Sequence, residues 1–121
     1  MAKKVIIVDD SQTLRQQVSV ALSEGGFEVI EAADGLEAIE KIGDGSDVAL
    51  ILCDISMPRM DGLELLARLK ERGPSEVPVL MLTTEGQASV IARAKTLGAK
   101  GWIVKPFKPD MLLAAVRKVA K

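Results

Sequence analysis

The chain has no histidine and no tyrosine, one cysteine (Cys53), and only three aromatic rings, Phe27, Trp102 and Phe107. Without histidine there can be no Ser-His-Asp triad, no His-ligated metal and no phosphohistidine carrier role. A single thiol cannot close an internal disulfide, which points to a reducing compartment. Three rings are too few for a base-stacking platform. Charge is also unremarkable: 16 basic and 17 acidic residues, interspersed, leave a net charge of −1. That is not the basic stripe a nucleic-acid-binding protein carries. Nor is there a long apolar run. Val5 to Val8, after Lys3 and Lys4, is far too short for a signal segment or a membrane span. These absences lead us to expect a cytoplasmic protein that engages neither nucleic acid nor membrane.

What is present is a core. Of 121 residues, 48% are apolar, enough to bury a core without staples. The length suits one domain, residues 1–121. Five short apolar runs serve as strand candidates: Val5–Val8, Phe27–Ala32, Val48–Cys53, Val79–Leu82 and Trp102–Val104. Most are near-continuous Val, Ile and Leu, as in strands buried on both faces of a parallel sheet.

Helical periods fill the spaces between them. The stripes are Leu14, Val18, Ala21 and Leu22; Leu36, Ile39 and Ile42; Leu63, Leu65, Leu66 and Leu69; Val90, Ile91, Ala94 and Leu97; and Leu112, Leu113, Val116 and Val119. Stops stand at Gly25-Gly26, Gly43, Gly73-Pro74 and Gly98. Asp61 caps the third helix, and Pro109-Asp110 opens the fifth. Alternating strands and helices predict an α/β fold, a five-stranded doubly wound parallel sheet with five helices.

In such a sheet every strand's carboxyl end lies on one edge. Strand one ends in Asp9-Asp10, strand three in Asp54, strand four in Thr83-Thr84, and strand five in Lys105-Pro106. Strand two alone lacks such a residue, passing through Glu31 to "AADG". With strand one between strands two and three, the crevice where strand order reverses collects Asp9, Asp10 and Asp54, flanked by Thr83 and Lys105. Three carboxylates in one cleft repel one another unless a cation intervenes. An all-oxygen site with room for water suits Mg²⁺. A carboxylate can attack phosphorus to give an aspartyl phosphate. An ammonium and a hydroxyl can stabilise the transferring oxygens.

The motifs "VDDS", "LILCDISMPRMDG", "VLMLTTE" and "GWIVKPF", in this order and spacing, make the chain resemble the receiver domains of bacterial two-component response regulators. The resemblance runs over its whole length and is strongest to the stand-alone chemotaxis members. It implies the flavodoxin-like strand order 2-1-3-4-5. It also implies that Asp54 accepts a phosphoryl group from a sensor histidine kinase. Asp10, Asp54 and the backbone carbonyl of Ser56 would hold Mg²⁺, with Asp9 acting through a metal-bound water. Lys105 would pair with the phosphoryl group and Thr83 would move to bond it. Trp102 stands where the family's aromatic switch residue, commonly Tyr or Phe, is found. A cis Lys105–Pro106 bond is implied as well. So are a monomeric state, a target such as a flagellar motor switch that docks on helix four, strand five and helix five, and a phosphatase. Such a protein catalyses only its own phosphorylation and dephosphorylation, and is otherwise not an enzyme.

Plainer readings stand beside these. Asp9 with Ser11 could simply cap the first helix, Thr83 and Thr84 could open the fourth, Cys53 and Trp102 could be core, and Lys105 could be a solvated residue beside a turn proline. A small-molecule aspartyl-phosphate hydrolase would place its acids as D-x-D on strand one and add a cap domain. A flavin-binding module would need a Ser/Thr/Gly phosphate loop where "DDSQ" stands. The full complement of acids argues against a metal-free pseudo-receiver, whereas a relay intermediate, a receiver outside chemotaxis and a domain excised from a longer protein all stay open on sequence alone. Ser56 and Glu85 are the positions that would tune water access to the cleft.

Overall fold

The computed structural model describes residues 3–120, apart from Asp44 and the segments 56–60, 72–76 and 84–87. Strands and helices alternate as expected: β1 (Lys4–Val8), α1 (Gln12–Glu24), β2 (Glu28–Ala32), α2 (Gly35–Ile42), β3 (Val48–Asp54), α3 (Gly62–Glu71), β4 (Val79–Thr83), α4 (Ala88–Thr96), β5 (Gly101–Val104) and α5 (Pro109–Val119). All strand pairs are parallel, in the order β2-β1-β3-β4-β5. No described helix is long and apolar enough to cross a membrane.

The pleat sorts side chains into two cores. Val5, Ile7, Leu50, Leu52, Leu80 and Leu82 pack under α1 and α5 through Val18, Leu22, Leu112 and Val116. Ile6, Val8, Ile51, Cys53, Val79 and Met81 pack under α2, α3 and α4 through Ala38, Ile42, Leu65, Leu66, Leu69 and Ala94. Alternate residues therefore face opposite layers, which explains why the central strands carry almost no polar residue before their ends.

Burial on both faces holds for β1, β3 and β4 but fails at the sheet's edges. Much of β2 is half-buried, and β5 alternates, with Trp102 and Val104 exposed. An edge strand has one neighbour and incomplete helix cover. Phe27 lies before β2, not in it: its N–H donates to the Leu22 carbonyl and closes the end of α1. In α2 the inward stripe runs through Gly35, Ala38 and Ile42, and Leu36 is exposed. The buried Asp34 fixes where that helix begins, its carboxylate accepting from the Glu37 N–H at 2.9 Å. The small residues then face the sheet and let the helix approach it closely.

Gly26, at φ 93°, supplies the left-handed residue that ends α1. The expected Gly43 and Gly98 stops also fall at helix ends with positive φ. Gly73-Pro74 lies outside the described residues. Pro109 opens α5 as expected.

Leu50 is fully buried in the central strand. Leu50→Ala is expected to lower unfolding free energy by about 2–5 kcal/mol. Urea denaturation should show a lower midpoint at unchanged slope, whereas alanine at exposed Val20 should move the midpoint little.

Candidate functional site

Backbone register builds the site before any side chain does. Val8 lies beside Cys53, so the next residues, Asp9 and Asp54, meet at the ends of β1 and β3. Asp54 in turn lies beside Leu82, and the Ile55 N–H donates to the Leu82 carbonyl. Thr83 lies beside Val104, and the Lys105 N–H donates to the Thr83 carbonyl at 2.7 Å. Four strands thus deliver their terminal residues to one edge, and the Lys105–Pro106 bond is cis.

The side chains converge accordingly. Carboxylate oxygens of Asp9, Asp10 and Asp54 all lie within 4.8 Å of one another. Asp9 is 1% exposed and Asp54 8%, whereas Asp10 is open to solvent. At that separation, with an effective dielectric near 20, each pair of charges repels by roughly 3–4 kcal/mol. Lys105 relieves part of this: its Nζ is 3.0 Å from Asp9 Oδ2 and 3.3 Å from Asp54 Oδ1. Burial works against the ammonium, but the hydrogen bond to Asp9, the attraction of both carboxylates and the bond to Asp54 outweigh it. The Lys105 pKa is therefore raised. Three carboxylates against one ammonium leave two negative charges in excess, which one divalent cation would balance. Carboxylates alone are hard oxygen donors and fit Mg²⁺, not a soft metal.

The capping reading of Asp9 resolves into a division of labour. Ser11 is the N-cap of α1, its Oγ accepting from the Leu14 N–H. Asp9 braces that turn by accepting from the Ser11 N–H at 2.8 Å through Oδ1, leaving Oδ2 to Lys105. Asp61 does cap α3, accepting from the Glu64 N–H at 2.9 Å. Thr83 is the last residue of β4, buried at 1% exposure. Ser56, Thr84 and Glu85 lie outside the described residues. Trp102 is not in the cleft: it stands 41% exposed, with Lys95 Nζ 4.3 Å from its ring centroid. Trp102 lies beside Met81, and Thr83 beside Val104, so all four share one face of neighbouring strands. Burial holds the Cys53 thiol well above its ordinary pKa, with Asp54, Asp9 and Asp61 adding to the effect.

Residues 5–117 match the response regulator receiver domain. The chain belongs to that family. The receiver is 41% identical to the chemotaxis protein CheY of Listeria monocytogenes over 119 residues, covering 98% of each chain. It is 39% identical to the chemotaxis protein CheY of Bacillus subtilis, with the same coverage. Among solved structures, the chemotaxis protein CheY4 of Vibrio cholerae superposes with a TM-score of 0.90 at 40% identity, over 98% of this chain and 99% of that one. The receiver domain of NtrX from Brucella abortus gives 0.87 at 34% identity, over 95% and 96%. Family membership places the chain in two-component signal transduction.

Three contributors were missed in the sequence. Arg15 and Glu31 meet across α1 and β2, with Arg15 Nε donating to Glu31 Oε1 at 3.1 Å. Glu31 on β2 is thereby linked to the polar edge, since Arg15 Nη1 also donates to the Asp9 carbonyl oxygen. The available signals were an isolated cation between Lys4 and Lys41 and an acid inside an apolar strand. The third is Gly62, which sequence pattern marks only as the residue after a cap. A Cβ there would stand 2.5 Å from the Asp54 carbonyl oxygen and 3.0 Å from Ile55 Cα, both backbone. The Gly62 N–H also donates to the Ile55 carbonyl at 2.9 Å. The start of α3 thus presses directly on the strand end that carries Asp54.

Gly62→Ala is expected to cost about 1–3 kcal/mol through overpacking and to shift Asp54. Urea unfolding checks the first effect, and the amide shifts of residues 53–55 check the second. Lys105 gives a pH prediction. Its folded pKa is raised, so its contribution is complete below the unfolded value of about 10.4 and is lost as pH rises through the folded value. Urea midpoints between pH 8 and 11.5 should show an alkaline loss that is diminished in Lys105→Ala.

Proposed function

We propose that this receiver is a phosphorylation-controlled switch in which Asp54 accepts a phosphoryl group from a sensor histidine kinase. The observation that carries this reading is the convergence of Asp9, Asp10 and Asp54, with Lys105 bridging the two buried carboxylates. An Asp54 carboxylate oxygen attacks phosphorus in line with the donor's P–N bond. The P–O bond forms as the P–N bond breaks, and the donor imidazole leaves with its electron pair. Hydrolysis reverses the modification: water attacks phosphorus and releases phosphate, restoring the carboxylate. The chain acts on no other substrate. Asp9, Asp10 and Asp54, with the Ser56 carbonyl, would hold the cation in this reading. When bound, Mg²⁺ would supply charge neutralisation of the transferring oxygens.

Lys105 can turn its ammonium from the Asp54 carboxylate to the phosphoryl group that replaces it. Thr83 supplies a hydroxyl to another oxygen. Its carbonyl is bonded to the Lys105 N–H, so movement of one strand end is felt by the other. Trp102 sits on the same face as Thr83, two pairs along the β4–β5 ladder. Repacking at Thr83 therefore alters the surface made by α4, β5 and α5, where Trp102 and Met111 are exposed. A complete shift, from about 1:99 to 99:1, needs roughly 5.5 kcal/mol of differential stabilisation.

The likeness to chemotaxis proteins of several organisms supports a chemotaxis role. The target would be a motility component such as a flagellar motor switch, and a phosphatase would reset the signal. The likeness to the NtrX receiver supports a second reading, a receiver outside chemotaxis.

Incubation with labelled acetyl phosphate and Mg²⁺ is expected to label the wild-type chain. Label should be absent from Asp54→Asn and lost on chelation. Labelling of Asp54→Asn at the wild-type rate would overturn the assignment of the nucleophile, and labelling indifferent to chelator would overturn the metal requirement. Transfer from a purified chemotaxis kinase, compared with kinases of other systems, separates the two readings.

A further inference from the structure

Asp10 is the exposed member of the three acids, so its carboxylate is aimed chiefly by its backbone. The peptide that joins it to Asp9 is held from behind. Arg15 Nη1 donates to the Asp9 carbonyl oxygen at 2.6 Å, while its Nε donates to Glu31 Oε1 at 3.1 Å. The Arg15 side chain is only 15% exposed. Glu31 is itself braced, since Lys41 Nζ donates to its carbonyl and to Glu37 Oε1. The other polar atoms of Asp9 are committed as well: its N–H to Ala32, Oδ1 to Ser11 and Oδ2 to Lys105. Rotation of the Asp9–Asp10 peptide would break the Arg15 bond and swing the Asp10 carboxylate away from Asp9 and Asp54.

We infer that Arg15, anchored by Glu31, is a positioning residue for the cation site, fixing the Asp9–Asp10 peptide so that Asp10 points into it. This rests on the reading of Asp9, Asp10 and Asp54 as the cation ligands. The geometry needs arginine. A planar guanidinium offers donors in a fixed fork, one for the Asp9 carbonyl and one for Glu31, whereas a lysine ammonium presents its three donors from one point on a flexible stem and holds neither acceptor in a fixed plane. Groups that orient metal ligands from behind commonly govern affinity without touching the ion.

The test is Mg²⁺ titration calorimetry on the whole chain for wild type, Arg15→Lys, Arg15→Ala, Asp10→Asn and the Arg15→Lys/Asp10→Asn pair, with urea midpoints measured without Mg²⁺. Both Arg15 variants should bind Mg²⁺ about 10–100-fold more weakly than wild type. Arg15→Lys keeps the charge and the helix propensity, and carries the test if Arg15→Ala unfolds. In the Asp10→Asn background the Arg15→Lys change should add little, because the residue it acts through is already gone. A lowered urea midpoint with unchanged Mg²⁺ affinity would make Arg15 a structural brace only and overturn the inference, as would full additivity with Asp10→Asn. If the wild-type chain itself shows no Mg²⁺ affinity, the cation-site reading falls and this inference falls with it. Wild-type and Asp10→Asn behaviour as expected beside an unaffected Arg15→Lys would sink the Arg15 assignment alone.

Discussion

The structure turns on electrostatic crowding at one edge of the sheet. Asp9 and Asp54 are nearly inaccessible to water, yet both stand within reach of each other and of Asp10. Such an arrangement would be strongly unfavourable in isolation, because buried like charges are neither hydrated nor screened. Lys105 makes it tolerable by lying between the two buried carboxylates. The residual negative charge, three carboxylates against one ammonium, favours a cation at this edge. A site in which every charge was already matched would have little to gain from a metal.

That crowding is possible because parallel register is strict. Hydrogen bonding fixes Val8 beside Cys53, Asp54 beside Leu82 and Thr83 beside Val104. A slip of one residue in any pair would turn the terminal side chain to the opposite face. Two apolar layers hold the register, one under α1 and α5 and the other under α2, α3 and α4. The core is therefore the positioning device for the polar edge. Gly62 extends the same constraint to α3, which meets the end of β3 at a distance that excludes even one methyl group.

Much of this could be read from the chain alone, because strand ends announce themselves. Four apolar runs stop at Asp9, Asp54, Thr83 and Lys105, and parallel topology puts all four ends on one edge. What stayed hidden depends on contacts between distant segments. Arg15 and Glu31 are 16 residues apart, and their pairing follows from where α1 crosses the β1–β2 ladder. Gly62 matters through a close approach that no local pattern encodes. Phe27 looked like the start of β2 because it is apolar, yet its N–H is taken by the end of α1. Leu36 looked inward because it is large, yet the cap at Asp34 sets the helix phase and turns Ala38 to the sheet instead.

Cys53 and Asp54 stand next to each other on β3, and the pleat sends them to opposite sides. The thiol is the intrinsically stronger nucleophile, but it lies in an apolar layer and its ionisation is suppressed by burial and by the neighbouring acids. The carboxylate is the weaker nucleophile and faces the open edge. In the proposed phosphoryl transfer an incoming electrophile would therefore meet oxygen, with the sulfur one residue away buried in the core. Chemoselectivity between two adjacent nucleophiles is thus decided by strand geometry, not by their inherent reactivity.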